Sequence, residues 1–273
     1  GWCRDMYVFL NDQWVKEEEA KISVFDKGFM SAESVYETLR TYQGRVFHLE
    51  AHYTRLERSA LEMKIPVSFT VKELKEIIEE GIRRNAIRAE AYVRVQITDK
   101  TVFVWVRPMP AISPDIYANG VSVGFSPFRR RVIKKGDHTI KTTGALDIFL
   151  SRIHKPTELY DYILLNEQGF LTEGTFSNLF FISGGRLRTP ALACGVLSGI
   201  TREVVIQIAQ KAGIQVEEGW YNAHELFAAT EVFLSHTSAS IVPVSRIEQF
   251  ALPVGPLTRR LLNSFSEYIR TLA

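Results

Sequence analysis

The chain has 273 residues, enough for one large domain or two modest ones. Its 46% hydrophobic and 23% charged content excludes disordered and fibrous classes. Thirty-three basic against 31 acidic residues, scattered along the chain, leave a net charge of +2 and neither a nucleic-acid nor a membrane footprint. No stretch approaches the roughly 20 apolar residues of a membrane span. The opening Gly1-Trp2-Cys3-Arg4-Asp5 lacks the apolar core of a secretory leader. Two cysteines, Cys3 and Cys194, form neither a disulfide nor a metal framework, so the expectation is a cytoplasmic protein without a metal.

In chain order, residues 7–10 and 13–15 read as a hairpin around Asn11-Asp12, and residues 35–42 and 45–49 as a second around Gln43-Gly44. Tyr53, Leu56, Ala60 and Met63 share one face of a helix expected over residues 51–63, and Leu74, Ile77, Ile78 and Ile82 one face of a second over 70–84. Residues 91–98 and 101–107 form a further hairpin, turned at Asp99-Lys100. Three prolines follow in Pro108-Met109-Pro110-Ala111-Ile112-Ser113-Pro114, which stiffens the chain and marks a linker. Beyond it, strand-like segments (121–126, 160–165, 178–182, 231–235) alternate with helical ones (145–155, 201–212, 256–272). The expected organisation is a small α+β domain over residues 1–107, a linker over 108–120 and a larger α/β domain over 121–273.

Four features carry candidate chemistry. Lys141, in Asp137-His138-Thr139-Ile140-Lys141-Thr142-Thr143-Gly144, lies at a loop–helix junction among small polar residues. Desolvation there lowers an amine's pKa and frees it for Schiff-base chemistry; the alternative is a solvated surface lysine. Glu173, in Thr172-Glu173-Gly174-Thr175-Phe176-Ser177-Asn178, leads into an apolar strand, where a carboxylate needs a cation or a protonated heterocycle unless it faces water at a strand edge. Leu197-Ser198-Gly199-Ile200-Thr201-Arg202 precedes an apolar helix whose free N–H groups suit an anion, or is an ordinary helix cap. Ser235-His236-Thr237-Ser238-Ala239-Ser240 is a hydroxyl-rich segment, either a second anion clamp or a plain turn. His48, His52, His154 and His224 show no metal-ligand spacing.

In this order and spacing the four features resemble the class IV aminotransferases, the pyridoxal phosphate (PLP) enzymes of fold type IV. The run from Glu173 through Asn178-Leu179-Phe180, Thr189 and Leu197–Arg202 matches that family's signature, and the likeness extends from Phe25-Asp26-Lys27-Gly28 to Val242-Pro243-Val244. The resemblance implies a two-domain fold with a mixed, barrel-like sheet and helices in the larger domain. It makes Lys141 the residue that holds PLP through a Schiff base and shuttles the proton, and Glu173 the partner of the pyridine nitrogen. Arg55, in His52-Tyr53-Thr54-Arg55-Leu56, matches the phosphate-binding arginine. Gly199, Ile200, Thr201, Thr237 and Ser238 would complete the phosphate cup, and Leu197 would pack on the ring. A homodimer acting on amino acids and 2-keto acids by ping-pong kinetics follows from the same resemblance.

Within the family the residues divide. Branched-chain enzymes carry a Gly-Asn-Tyr element after the lysine; here Leu146 stands where that tyrosine would be, as in D-amino-acid transaminases, with which the chain shares its short length and Asn11-Asp12-Gln13. The Arg-x-His carboxylate trap of the D-enzymes is missing, because Asp99-Lys100-Thr101 turns straight back, and Tyr92-Val93-Arg94 is similar to the Tyr-Ile-Arg of branched-chain enzymes. The leaning is toward D-amino acids with 2-oxoglutarate or pyruvate, the alternatives being a branched-chain L-amino-acid aminotransferase or aminodeoxychorismate lyase. A non-catalytic ligand-binding protein is disfavoured because Lys141, Glu173, Arg55 and Thr201 are all present. For the substrate carboxylate, the resemblance implies that Tyr36 faces the pocket, and strand alternation then puts Thr38 and Arg40 on the same face, making Arg40 the first candidate, Arg94 the second and His236 a further contact.

Overall fold

The computed structural model describes residues 6–131, 134–135 and 138–272, with the backbone alone for 134, 135 and 138. Cys3, with the rest of the opening pentapeptide, and Asp137 of the lysine segment lie outside the described residues. The chain divides into two compact units. One runs to Ala111 and includes Ile140–Gly144; the other comprises Ile112–Thr139 and Ala145–Leu272.

In the first unit, β1 (Tyr7–Leu10) and β2 (Gln13–Lys16) meet at Asn11 and Asp12, both with positive φ, as a tight two-residue hairpin requires. The Asp26 carboxylate accepts from the Gly28 N–H and starts the short helix α1 (Lys27–Ser31). Strand β3 (Val35–Tyr42) turns through Gln43-Gly44 into β4 (Arg45–Val46). The strand expected to reach residue 49 stops at Val46. His48 adopts a left-handed conformation (φ 48°), which breaks the extended chain and starts α2 (Leu49–Glu62) two residues earlier than the apolar spacing suggests. Helix α3 (Val71–Arg84) opens with a reciprocal Thr70–Glu73 capping box. Strands β5 (Ala91–Ile97) and β6 (Val102–Pro108) complete an antiparallel sheet of order β2-β1-β6-β5-β3-β4.

Alternation sorts this sheet into two faces. Val35, Leu39, Val93, Val95, Val104 and Val106 join Leu56 and Ala60 of α2 and Leu74 and Ile78 of α3 in one core. On the other face the register Tyr36↔Gln96, Thr38↔Arg94 and Arg40↔Tyr92 aligns polar and aromatic side chains.

In the second unit the expected linker contains a single helical turn, α4 (Asp115–Ala118), entered from Pro114, whose ring presets a helical φ of −57°. Then come β7 (Val121–Phe125), the two-residue strands β8 (Lys134–Lys135) and β9 (His138–Thr139), α5 (Leu146–His154), β10 (Asp161–Leu165), β11 (Leu171–Gly174), β12 (Asn178–Ser183) and β13 (Arg186–Pro190). After α6 (Ile200–Lys211) follow β14 (Val216–Gly219), α7 (Ala223–Phe227), β15 (Glu231–His236), β16 (Ser240–Ile247), β17 (Phe250–Ala251) and α8 (Pro256–Thr271). Strand β16 is invisible to sequence reading because it carries Pro243 opposite Phe233 of β15, and proline argues against a strand interior.

Strands β11, β10, β7, β16, β15 and β12 are each paired with the next, and the pair Glu173↔Asn178 joins β12 back to β11. The sheet therefore closes into a six-stranded ring of mixed direction, with β7 parallel to both β10 and β16. Val123, Ile163, Leu179, Phe181, Val232, Leu234, Val242 and Val244 are its apolar core. Among the described residues no helix is long and apolar enough to cross a membrane.

Candidate active site

Lys141 is held in the first unit by backbone bonds rather than by a helix. The Tyr36 N–H donates to the Lys141 carbonyl (3.2 Å), the Lys141 N–H donates to Ser59 Oγ of α2 (3.2 Å), and the Thr143 N–H donates to the Ser34 carbonyl (3.2 Å). Val35 and Thr142 form an antiparallel bridge, so the lysine segment is stitched to the start of β3. Its side chain is half-buried, with Nζ 4.8 Å from the centre of the Tyr36 ring, which excludes the reading as a freely solvated surface lysine. The guanidinium of Arg94 lies 4.1 Å from the same ring. Arg94 Nε and Nη2 donate to Gln96 Oε1 (3.1 and 2.8 Å), Gln96 Nε2 donates to Ser34 Oγ (3.2 Å), and Ser34 Oγ meets Thr143 Oγ1 at 2.5 Å. One polar chain thus runs from Arg94 to the lysine segment.

Arg40 does share the face of Tyr36 and Thr38, as alternation predicts. Four residues along the strand, however, are about 13 Å. Arg40 is buried there, donating Nε to the Thr41 carbonyl (3.2 Å) and lying 3.9 Å over the Tyr42 ring. The structure groups Tyr36 and Lys141 with Arg94, not with Arg40.

Arg55 is buried on the face of α2 that meets β3. It donates Nε to Glu37 Oε1 (2.6 Å) and Nη2 to Glu37 Oε2 (2.7 Å), while His52 Nδ1 lies 2.8 Å from the same Oε2. Burial raises the Glu37 pKa, but the charge and hydrogen bonds of Arg55 and the bond to His52 outweigh it and bring it to about 2. Burial pushes His52 the other way, toward its neutral form, with the charges of Arg55 and Lys141 adding to the effect.

In the second unit Glu173 is buried (5% exposed), which removes the water-facing alternative. Its Oε2 accepts from the Leu197 N–H (2.9 Å) and Asn178 Nδ2 (3.3 Å), and its Oε1 accepts from Arg130 Nε (3.1 Å). Asn178 Nδ2 also donates to the Leu197 carbonyl (3.0 Å), tying the strand to the loop before α6. Helix α6 starts at Ile200 with Gly199 as N-cap and no side-chain cap, so the first-turn N–H groups of Ile200 and Thr201 are not taken by a capping side chain. A Cβ on Gly199 would stand 2.0 Å from Asn178 Oδ1; only glycine admits this approach. Thr201 is 4% exposed. Thr237 and Ser238 are half-buried in the turn between β15 and β16.

His236 ends β15, with Nε2 2.8 Å from the Tyr160 hydroxyl and its ring 5.1 Å from Phe176. The loop carrying Phe176 is tied down by buried Asp161, whose carboxylate accepts from Thr175 N–H (3.0 Å), Thr175 Oγ1 (2.7 Å) and Ser177 Oγ (2.7 Å). Burial raises the Asp161 pKa and those bonds offset it only in part.

Sequence reasoning missed Glu37, Arg130, Asp147, Tyr160 and Phe176 as members of these clusters. Arg130 is the buried middle of Arg129-Arg130-Arg131, whose neighbours are exposed, and nothing in a run of three arginines marks which one points inward.

Residues 34–247 match the sequence profile of amino-transferase class IV. A Thermotoga maritima protein described as a "Probable branched-chain-amino-acid aminotransferase" is 38% identical over 92% of this chain and 90% of its own length. A D-alanine aminotransferase of Staphylococcus haemolyticus is 29% identical over 97% of this chain and 98% of its own. The crystal structure of a branched-chain aminotransferase from Thermoproteus uzoniensis with norvaline superposes with a TM-score of 0.89 at 29% identity, covering 97% of this chain and 95% of that one. The chain belongs to the class IV aminotransferases, a PLP-dependent enzyme family of fold type IV.

Proposed function

We propose that the protein is a branched-chain L-amino-acid aminotransferase, moving the amino group between small apolar L-amino acids and 2-oxoglutarate. The observation that carries this reading is the grouping of Tyr36, Arg94 and Lys141: the arginine of the Tyr92-Val93-Arg94 element lies 4.1 Å from the ring that Lys141 Nζ also approaches. The higher identity to the branched-chain relative than to the D-alanine enzyme supports the same side. This replaces the leaning toward D-amino acids. That second reading keeps as supports Leu146 in the place of a tyrosine, the short chain and Asn11-Asp12-Gln13.

The residues present fit PLP. A close backbone approach that only glycine allows, an uncapped twelve-residue helix start and the buried Thr201 suit a phosphate, and a buried carboxylate clamped at both oxygens suits a protonated ring nitrogen. Lys141 would carry the group, Glu173 would hold its ring nitrogen, Leu197 would lie on its ring, and Gly199, Ile200, Thr201, Thr237, Ser238 and Arg55 would hold its phosphate. Arg55 brings to that role a guanidinium fixed by Glu37. When bound, PLP supplies an electron sink for the negative charge that develops at the substrate α-carbon. Lys141 Nζ would move the proton between that carbon and C4′ of the cofactor, from a backbone held by its bonds to Tyr36 and Ser59. Arg94, held by Gln96, would receive the substrate carboxylate.

A homodimer is part of this reading. Phe25, Phe29 and Met30 of the first unit are 70, 68 and 66% exposed, and on α5 of the second unit Leu146, Phe149 and Ile153, spaced along one face, are 62, 55 and 58% exposed. Such apolar surface supports contact with a second copy of the chain. The sparse cysteine content supports a cytoplasmic setting.

The visible spectrum of the purified, PLP-loaded protein tests the assignment. Bleaching by L-leucine and not by D-alanine is the expected result, and the reverse would restore the D-amino-acid reading. A spectrum indifferent to both, with pyruvate released from aminodeoxychorismate, would make the protein the lyase.

A further inference from the structure

Arg130 stands in no sequence signature used above, yet it is the buried cation of the Glu173 cluster. Its backbone N–H donates to the Leu165 carbonyl (2.8 Å), which pins the residue to the end of β10. Its Nε donates to Glu173 Oε1 (3.1 Å) and its Nη1 to Asp147 Oδ2 (2.8 Å), and Asp147 also accepts from the Arg131 N–H (2.9 Å). All three side chains are less than one-tenth exposed. Asp147 lies in the first turn of α5, so one guanidinium joins that helix to the strand pair that closes the ring at Glu173↔Asn178.

The arrangement is more specific than an ordinary buried pair. Glu173 is gripped at both oxygens, by Leu197 and Asn178 on Oε2 and by Arg130 on Oε1, which orients its carboxylate plane. A guanidinium shared between two carboxylates neutralises each only in part, and a cation beside a carboxylate favours the charged form. Desolvation makes such clusters costly, and a hydrophobic replacement of similar volume is often as stable, so stability alone is a poor reason for one.

We propose that Arg130 is a positioning residue for transamination: it orients the Glu173 carboxylate and limits its basicity toward the ring nitrogen of the cofactor. The inference rests on the reading of Glu173 as the partner of that nitrogen. Its expected signature is electronic. Removing the guanidinium frees Oε1 and changes how Glu173 holds the ring-nitrogen proton, which alters the visible absorption of bound PLP and the rate of proton transfer while leaving substrate binding in place.

The test uses PLP-loaded wild type, Arg130→Met, Arg130→Lys, Glu173→Gln and the Arg130→Met/Glu173→Gln double variant, read by visible spectrum at fixed pH, PLP affinity, kcat and KM. A charge-assisted hydrogen bond tightened in the transition state corresponds to roughly 10- to 100-fold in rate. Arg130→Met is expected to shift the visible band and to lower kcat by that factor with KM changed less than about threefold. Arg130→Lys, which keeps the charge without the fork, is expected to fall between wild type and Arg130→Met, and it decides the matter should Arg130→Met not fold. In the double variant Arg130→Met is expected to cost nothing beyond Glu173→Gln. A wild-type spectrum in both Arg130 variants, or a full additional loss in the double variant, overturns the proposal. If Glu173→Gln itself leaves spectrum and kcat unchanged, the reading of Glu173 fails and the proposal with it; if only the Arg130 variants are silent, the proposal alone fails.

Discussion

Glu37 and Arg55 meet as two parallel hydrogen bonds, Nε to Oε1 at 2.6 Å and Nη2 to Oε2 at 2.7 Å, with Glu37 1% and Arg55 6% exposed. Glu37 is on the β3 side facing α2, so the pair locks that helix to the strand that also supports Tyr36. Replacing Glu37 with glutamine leaves the guanidinium buried without its counter-charge and should cost about 3–5 kcal/mol of folding stability. Urea unfolding at neutral pH measures it.

The same cluster sets an acid dependence. The Glu37 carboxyl titrates at about 2 in the fold and in the ordinary carboxylate range when unfolded, so the unfolded chain binds the proton more readily. Stability from this group is complete above that ordinary range and is lost as pH falls toward 2. His52, lowered by burial, acts in the same direction from its unfolded pKa of about 6.5 downward. Thermal midpoints should therefore decline from pH 7 to pH 3, with a shallower slope in Glu37→Gln.

Lys141→Ala should retain the fold and lose turnover by about a thousandfold or more, since it removes the amine that moves the proton. Reduction of PLP-loaded wild type with borohydride, followed by peptide mapping, should label Lys141. A label on another lysine would remove the assignment.

Arg94 and Arg40 separate cleanly in kinetics. Arg94→Leu should raise KM for 2-oxoglutarate by roughly 10-fold or more, the loss of one charge-assisted contact, while Arg40→Leu should leave it within about threefold. Equal effects would mean that proximity to the Tyr36 ring is not what selects the carboxylate-binding arginine.

At Gly199 a methyl group would meet Asn178 Oδ1 at 2.0 Å. Gly199→Ala must displace Asn178, and with it bonds to Glu173 and to Leu197, so both PLP affinity and stability should fall, the latter by about 1–3 kcal/mol. Equilibrium dialysis against PLP distinguishes this from a purely structural defect.

The residues that carry the family resemblance lie close together in sequence, so the candidate chemistry could be read there. Glu173, Asn178, Gly199 and Thr201 fall within one short signature, and Lys141 stands between a loop and a helix start. Alternation likewise assigned Tyr36, Thr38 and Arg40 to one face, because side-chain direction along a strand depends only on the backbone's own period of two. What periodicity cannot report is which neighbour each face meets. Arg55 finds Glu37 18 residues away, Arg130 finds Glu173 43 residues away, and Arg94 rather than Arg40 reaches the Tyr36 ring. Those partners are set by strand order, helix packing and the closure of the ring at Glu173↔Asn178. Local pattern, with the family resemblance it carries, thus indicated the fold class and the candidate residues for the chemistry. Long-range packing, whose distances no local pattern encodes, decided which arginine meets which of the protein's own carboxylates.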